Sequence, residues 1–258
     1  MKLGVAYNLF DGEELLLHSV KSIRNSVDYI LVVYQDISNY GNKSNTDLGK
    51  YLIELKAKGF IDGILQYHPV LGLKGHGNEI SKRNLGLEQC KQVGCTHYMS
   101  MDTDEFYKES ELNYVKDIVN TGKYDSSACQ MQTYYKTAEW AINPPETYYV
   151  PLIYKIDDRR FNLNVQWPIS ADPTRRLDPK NLMIFMRDRI EMHHMSYVRK
   201  DIRAKLNNSS ANVNWKNRIE EMASYHDNWT APNKAYFAGT EKRLYDVVQK
   251  PNIFGIDI

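Results

Sequence analysis

Tyr98-Met99-Ser100-Met101-Asp102-Thr103-Asp104-Glu105-Phe106-Tyr107 is an apolar strand that runs straight into three acids within four residues. In an α/β sheet the carboxyl end of a strand opens onto the ligand crevice, so Asp102 and Asp104 are expected where a phosphate ligand and its divalent cation arrive. Strand side chains alternate, which predicts Asp102 and Asp104 on one face and Thr103 and Glu105 on the other. Two carboxylates on one face repel each other. A hard cation between them and a diphosphate relieves that repulsion and neutralises a leaving group. Alone, Asp-x-Asp also arises as a solvated turn or a helix cap, so the surrounding elements carry the decision.

Upstream, residues 3–7 are a short apolar run, and Asp11 with Glu14 makes a capping-box-like start for a helix with the stripe Leu16, Val20, Ile23 and Val27. Tyr29–Tyr34 is almost wholly apolar, as expected of a strand covered on both faces, and ends in Gln35-Asp36. Asp36 is a candidate acceptor for a base or ribose, or a turn residue. Leu48, Tyr51, Leu52 and Leu55 predict a helix that Gly59 ends, and residues 61–67 a third strand. Gly72, Gly75 and Gly77 match no phosphate-binding fingerprint and read as a flexible loop. The helix after it carries Lys82, Arg83 and Asn84. This alternation predicts a doubly wound α/β half ending at the acids. Downstream come a helix with Leu112, Val115, Ile118 and Val119 and strands at Ser126–Tyr135, 150–156 and 183–186, with 189–193 as a continuation of the last.

The chain has 258 residues, enough for one large domain. Its formal net charge of +1 gives no field that argues for nucleic acid or an anionic membrane as a partner. Cys90, Cys95 and Cys129 are few, odd in number and without metal-ligand spacing, which predicts buried thiols in a reduced, cytoplasmic protein. Asp11, Glu13 and Glu14 come too early for a signal peptide, and no apolar run approaches a membrane span, so the chain reads as soluble with no transmembrane segment.

The order of pieces resembles the nucleotide-sugar-dependent glycosyltransferases of the GT-A fold. Residues 3–8 look like their opening strand and base-binding loop, and Tyr29 to Asp36 like their second strand with its terminal Asp. Lys82-Arg83-Asn84-Leu85-Gly86-Leu87 is similar to their Arg-Asn-x-Gly-Leu helix. Asp102-Thr103-Asp104 matches Asp-x-Asp, and His193-His194-Met195-Ser196-Tyr197 looks like a His-x-Ser-Tyr segment. The resemblance covers the first 110 residues well and the rest in patches.

It implies an α/β fold, a GT-A-like (Rossmann-like) mixed sheet flanked by helices with a helical C-terminal tail. Residues 1–258 would be a single catalytic domain: 1–108 a nucleotide-binding half, 109–198 an acceptor-side half, and 199–258 a helical extension. It implies Ala6, Tyr7, Asn8, Asp36, Lys82, Arg83 and Asp102 at the nucleotide sugar, and Asp102, Asp104 and His194, with His193 in reserve, on Mn2+ or Mg2+. UDP is the default nucleotide because it is commonest among look-alikes; the acceptor is a hydroxyl, taken as a glycan's. Asp172 lies where inverting members carry the base, with Glu139 as rival, although Pro173 also makes Asp172 a natural helix cap. A predicted helix at 198–206, with Arg199, Lys200, Arg203 and Lys205, would bring a cation to the departing diphosphate. Tyr134, Tyr135, Trp140, Tyr148, Tyr149 and Trp167 are read as an acceptor groove or as core.

Two departures from the family leave base identity and stereochemistry open: the Asp-rich loop after the second strand is reduced to Asp36, and no Glu-Asp pair follows the aromatic segment. Three other readings stay open. A nucleotidyltransferase would open with a Gly-rich loop after its first strand, which is missing here. The others are a non-catalytic nucleotide- or glycan-binding module and a glycosidase.

Overall fold

A computed structural model describes every residue from 1 to 258 except Asn45, Lys74 and Thr240. In chain order the elements are β1 (Leu3–Leu9), α1 (Glu13–Ile23), β2 (Tyr29–Tyr34), α2 (Leu48–Ala57), β3 (Gly63–Gln66), α3 (Gly75–Gln92), β4 (His97–Asp102), β5 (Glu105–Phe106) and α4 (Glu109–Asn120). They continue with β6 (Ser126–Tyr135), β7 (Trp140–Asn143), β8 (Tyr149–Lys155), β9 (Leu182–Phe185), β10 (Glu191–Tyr197), α5 (Ile202–Asn208), α6 (Ile219–Asp227), β11 (Ala235–Phe237) and β12 (Arg243–Gln249). The sheet runs β11-β12-β7-β6-β8-β4-β1-β2-β3. Its β4-β1-β2-β3 part is parallel, β8 is antiparallel to β4 and β6, and β9 and β10 lie parallel to β6. The result is a central mixed sheet flanked by helices.

Alternation along the strands builds the two faces. Val5, Leu9, Val32 and Met101 point to the side covered by α1, α2 and α4, where Leu16, Val20, Leu52 and Leu112 meet them. Ala6, Leu31, Val33 and Tyr98 point to the other side, against Leu87 and Cys90 of α3 and against Phe161 and Trp167. Helix α3 lies very close to the sheet: a Cβ at Gly86 would stand 2.6 Å from Ala6 Cβ and 2.9 Å from Tyr98 Oη.

Several expectations change. Asp11 and Glu14 do not form a capping box: α1 is capped by Gly12 at φ 83°, without a side-chain hydrogen bond. Gly75 and Gly77 belong to α3 rather than to a loop, and a Cβ at Gly75 would lie 2.8 Å from Ser210 Cα, so close approach accounts for that glycine. The extension after residue 198 is only partly helical. It ends in two strands, β12 pairing with β7, and Leu244-Tyr245-Asp246-Val247-Val248 carries the aromatic and β-branched residues that favour this. Residues 189–193 do not continue β9: most of them open a separate strand, β10, whose register pairs it with β6. Among the described residues no helix is long and apolar enough to cross a membrane.

His97, at the start of β4, gives a pH handle. Burial first, then the N-terminal ammonium and Lys155, push its imidazole down to about 4. A histidine whose folded pKa lies below its unfolded value of about 6.5 contributes stability above that value, lost as pH falls towards 4. His97→Gln is therefore expected to lose less stability than the parent between pH 7 and pH 4.5, by roughly 2–3 kcal/mol. Urea unfolding at the two pH values measures it; equal losses would show that His97 does not resist protonation.

Candidate active site

A cavity of about 500 Å³ opens at the carboxyl ends of β1 and β4, a size typical of small-ligand sites. Its wall contains Asn8, Lys82, Arg83, Asp102, Asp104, Asp172 and His194. Strand β4 stops at Asp102, and Thr103 and Asp104 form a turn before β5. The same-face strand geometry expected for the two acids is therefore replaced by a turn that directs both into the cavity.

The repulsion between these carboxylates is relieved by the chain's own cations. Asp102 Oδ2 accepts from Arg175 Nη2 at 2.6 Å and from Arg83 Nη2 at 3.3 Å. Asp104 Oδ2 accepts from Arg199 Nη2 at 2.6 Å and from Lys205 Nζ at 2.9 Å. Burial pushes both carboxyls up, but these neighbours outweigh it: Arg83 and Arg175 hold Asp102, and Lys205 and Arg199 hold Asp104, below the usual carboxylate range. Arg199 reaches Asp104 by passing over Gly12, where a Cβ would collide with its guanidinium.

Arg175 connects three acids. Besides Asp102, its Nη1 donates to Glu105 Oε2 at 2.8 Å and its Nε lies 3.1 Å from Asp172 Oδ2. Glu105 also accepts from the Asp102 backbone N–H at 3.1 Å, which fixes the turn from within. Asp172 caps a 3₁₀ turn by accepting from Thr174 N at 2.8 Å, so the capping geometry foreseen from Pro173 is present while the carboxylate also lines the cavity.

Lys82 is 5% exposed, and burial pushes its ammonium down; it forms no ion pair among the described residues. Nε and Nη1 of Arg199 likewise have no partner there. Both of these atoms are closed to solvent, with Nη1 against Gly12, so among the described residues Lys82 is the cation of the wall left over for an anion. Nearby, Asn8 Oδ1 and Gln35 Oε1 are acceptors closed to solvent and, among the described residues, without a donor.

Among the described residues no three His, Cys, Asp or Glu side chains form a metal-holding group. Two donor atoms nonetheless face each other: His194 Nε2 lies 3.8 Å from Asp104 Oδ1, the carboxylate oxygen not taken by Arg199 or Lys205. Bonds of about 2.1 Å from each would meet at one divalent ion between them. Burial, the largest influence, pushes His194 down to about 4, so its ring is neutral, as a ligand must be. Asp104 and His194 are thus the two protein donors that would hold a divalent ion, with Asp102 as the neighbouring carboxylate.

Other sequence candidates lie elsewhere. Tyr7 points to the opposite face of β1 and bonds Ser19 Oγ at 2.9 Å, while Ala6 is buried beneath Gly86. Asp36 accepts from Gln66 Nε2 at 2.7 Å and is outside the cavity wall, where Gln35 stands instead. Glu139 is exposed and also outside the wall. His193 turns away to Tyr134 Oη at 2.9 Å. Of the six aromatics read as a groove, only Tyr148 lines the cavity; Tyr134, Tyr135 and Trp167 are buried. Arg175, Glu105 and Gln35 carried no assignment in the sequence. The only signal for Arg175 was its place three residues after Asp172.

No protein-family model and no curated protein matches the chain. Among solved structures, S. aureus TarS 1–349 in complex with UDP-GlcNAc gives a TM-score of 0.50 at 13% identity, over 87% of this chain and 73% of that one. The same fragment in complex with UDP gives 0.49 at 14%, over 89% and 73%. GalNAc-T7 with UDP, GalNAc and Mn2+ gives 0.40 at 12%, over 67% and 30%. The likeness to the UDP-GlcNAc complex is one of fold, the GT-A-like mixed sheet that the sequence resemblance implies.

Proposed function

We propose that the chain is a metal-dependent glycosyltransferase that moves a sugar from a UDP-sugar to a hydroxyl of a glycan acceptor. One observation carries this reading: the Asp102–Asp104 turn and the cations Lys82, Arg83, Arg175, Arg199 and Lys205 converge in one cavity at the carboxyl ends of β1 and β4. The Lys82 ammonium, unpaired among the described residues, and the carboxylate and imidazole donors beside it suit a diphosphate and a divalent ion together. The TarS fragment of like fold was solved with UDP-GlcNAc. Three free, buried thiols accord with a reducing cytoplasm.

In this reading the acceptor oxygen attacks the anomeric carbon as the bond to the diphosphate breaks, and UDP leaves with the electron pair. Lys82 meets the diphosphate, and its fixed, desolvated ammonium stabilises the developing charge. Asp104 and His194, next to Asp102, would hold a manganese or magnesium ion, which would supply further counter-charge. Asp172 takes the proton of the acceptor hydroxyl.

Calorimetric titration with UDP, GDP, dTDP and CDP, each with manganese and then with EDTA, tests the reading. Manganese-dependent binding of UDP is expected; no binding of any diphosphate would move the chain to the glycosidase or glycan-binding classes. For the base, Asp172→Asn keeps an acceptor for the Thr174 cap, so donor binding should hold while transfer falls about 10²–10⁴-fold. Normal turnover would return Asp172 to capping alone.

A further inference from the structure

The geometry points to Thr133 and Glu146 as positioning residues that fix the ring tautomer of His194, turning the Nε2 lone pair towards Asp104. This rests on the reading of His194 as a cation ligand. The parallel register of β6 and β10 sets Thr133 directly beside His194. Thr133 Oγ1 lies 2.7 Å from Glu146 Oε2 and 3.5 Å from His194 Nδ1. A threonine hydroxyl has one hydrogen, and an ionised carboxylate only accepts; burial raises the Glu146 carboxyl, while the hydrogen bonds from Thr133 and the charge of Arg187 favour its ionised form. The short contact therefore takes that hydrogen to Glu146, and Oγ1 is left to His194 as an acceptor. Nδ1 then carries the ring proton.

The far side of the ring agrees. With the proton on Nδ1, Nε2 presents a lone pair towards Asp104 Oδ1 at 3.8 Å, where a cation between the two would meet a donor on each side. The opposite tautomer would aim an N–H at Asp104 across a gap too long for a hydrogen bond. Among the described residues the Glu146 carboxylate is met by Thr133 alone, so this half-buried acid is committed to the threonine that touches His194.

The test has two arms. In metal-free protein, imidazole ¹⁵N NMR should show His194 as the Nδ1–H tautomer, and Thr133→Val should lose that preference while Thr133→Ser keeps it. Calorimetry with manganese alone should then show affinity falling about 10–100-fold in Thr133→Val and recovering in Thr133→Ser. An Nε2–H tautomer in the parent would overturn the assignment. So would a Thr133→Val protein with unchanged tautomer and unchanged affinity. If the parent shows the Nδ1–H tautomer but binds no manganese, the clamp stands and the cation reading of the site falls, so the two failures are distinguishable.

Discussion

Asp104→Ala is expected to abolish manganese-dependent UDP binding and also to destabilise the fold by about 3–5 kcal/mol, because it strands buried charge. Asp104 is 2% exposed and is the partner of both Arg199 and Lys205. Removing it leaves the Arg199 guanidinium, whose side chain is 4% exposed, without its ion-pair partner and with only the more distant Asp11 and Glu14 as counter-charge among the described residues. The variant must therefore be read beside Asp104→Asn, whose amide oxygen still accepts from Arg199. Asn is expected to keep most of the stability and still lose the metal-dependent part of UDP affinity. Denaturant unfolding and calorimetry on both variants separate the effects, and an Asn variant with parental manganese-dependent affinity would take Asp104 out of the site.

Arg175 should matter as much, although it holds no ligand in this reading. Its guanidinium is the common counter-ion of Asp102, Glu105 and Asp172, linking the acidic turn to the loop of the candidate base. Arg175→Leu leaves three acids around an apolar side chain, and a loss of about 3–5 kcal/mol is expected. Arg175→Lys keeps one charge but cannot fork between partners. It should fold, and transfer should fall about a hundredfold as Asp102 and Asp172 lose their relative placement. Single-turnover assays beside thermal unfolding measure both, and a lysine variant with parental turnover would reduce Arg175 to a structural ion pair.

What could be read from the sequence was what local order determines. The apolar runs of β1, β2 and β4, the stripe of α1 and the acidic end of β4 each announce themselves within a few residues. Asn8, Lys82 and Arg83 reach the cavity because they sit at or near the ends of such elements. Relations across the chain were not legible. Arg175 meets Asp102 over 73 residues from a 3₁₀ turn, and Thr133 meets His194 over 61 through a strand pairing, and no local pattern encodes either. Local order also misled. At the end of β1 and of β2, pleating and the crevice edge select Asn8 over Tyr7 and Gln35 over Asp36. The aromatic run was legible only as bulk: Tyr135 and Trp167 fill the core, and Tyr148 alone lines the cavity.

The close seat of α3 on the sheet has a practical consequence for anyone altering this protein. Gly86 lies one turn from Arg83 and touches Ala6 and Tyr98 from above. A single methyl there must lift the helix, and Lys82 and Arg83 with it, away from the acidic turn. Choosing positions by nearness to the donor would pass Gly86 over, yet its alanine variant should behave as a donor-site lesion: the depth of the cavity is set partly by a hydrogen where other residues carry carbon.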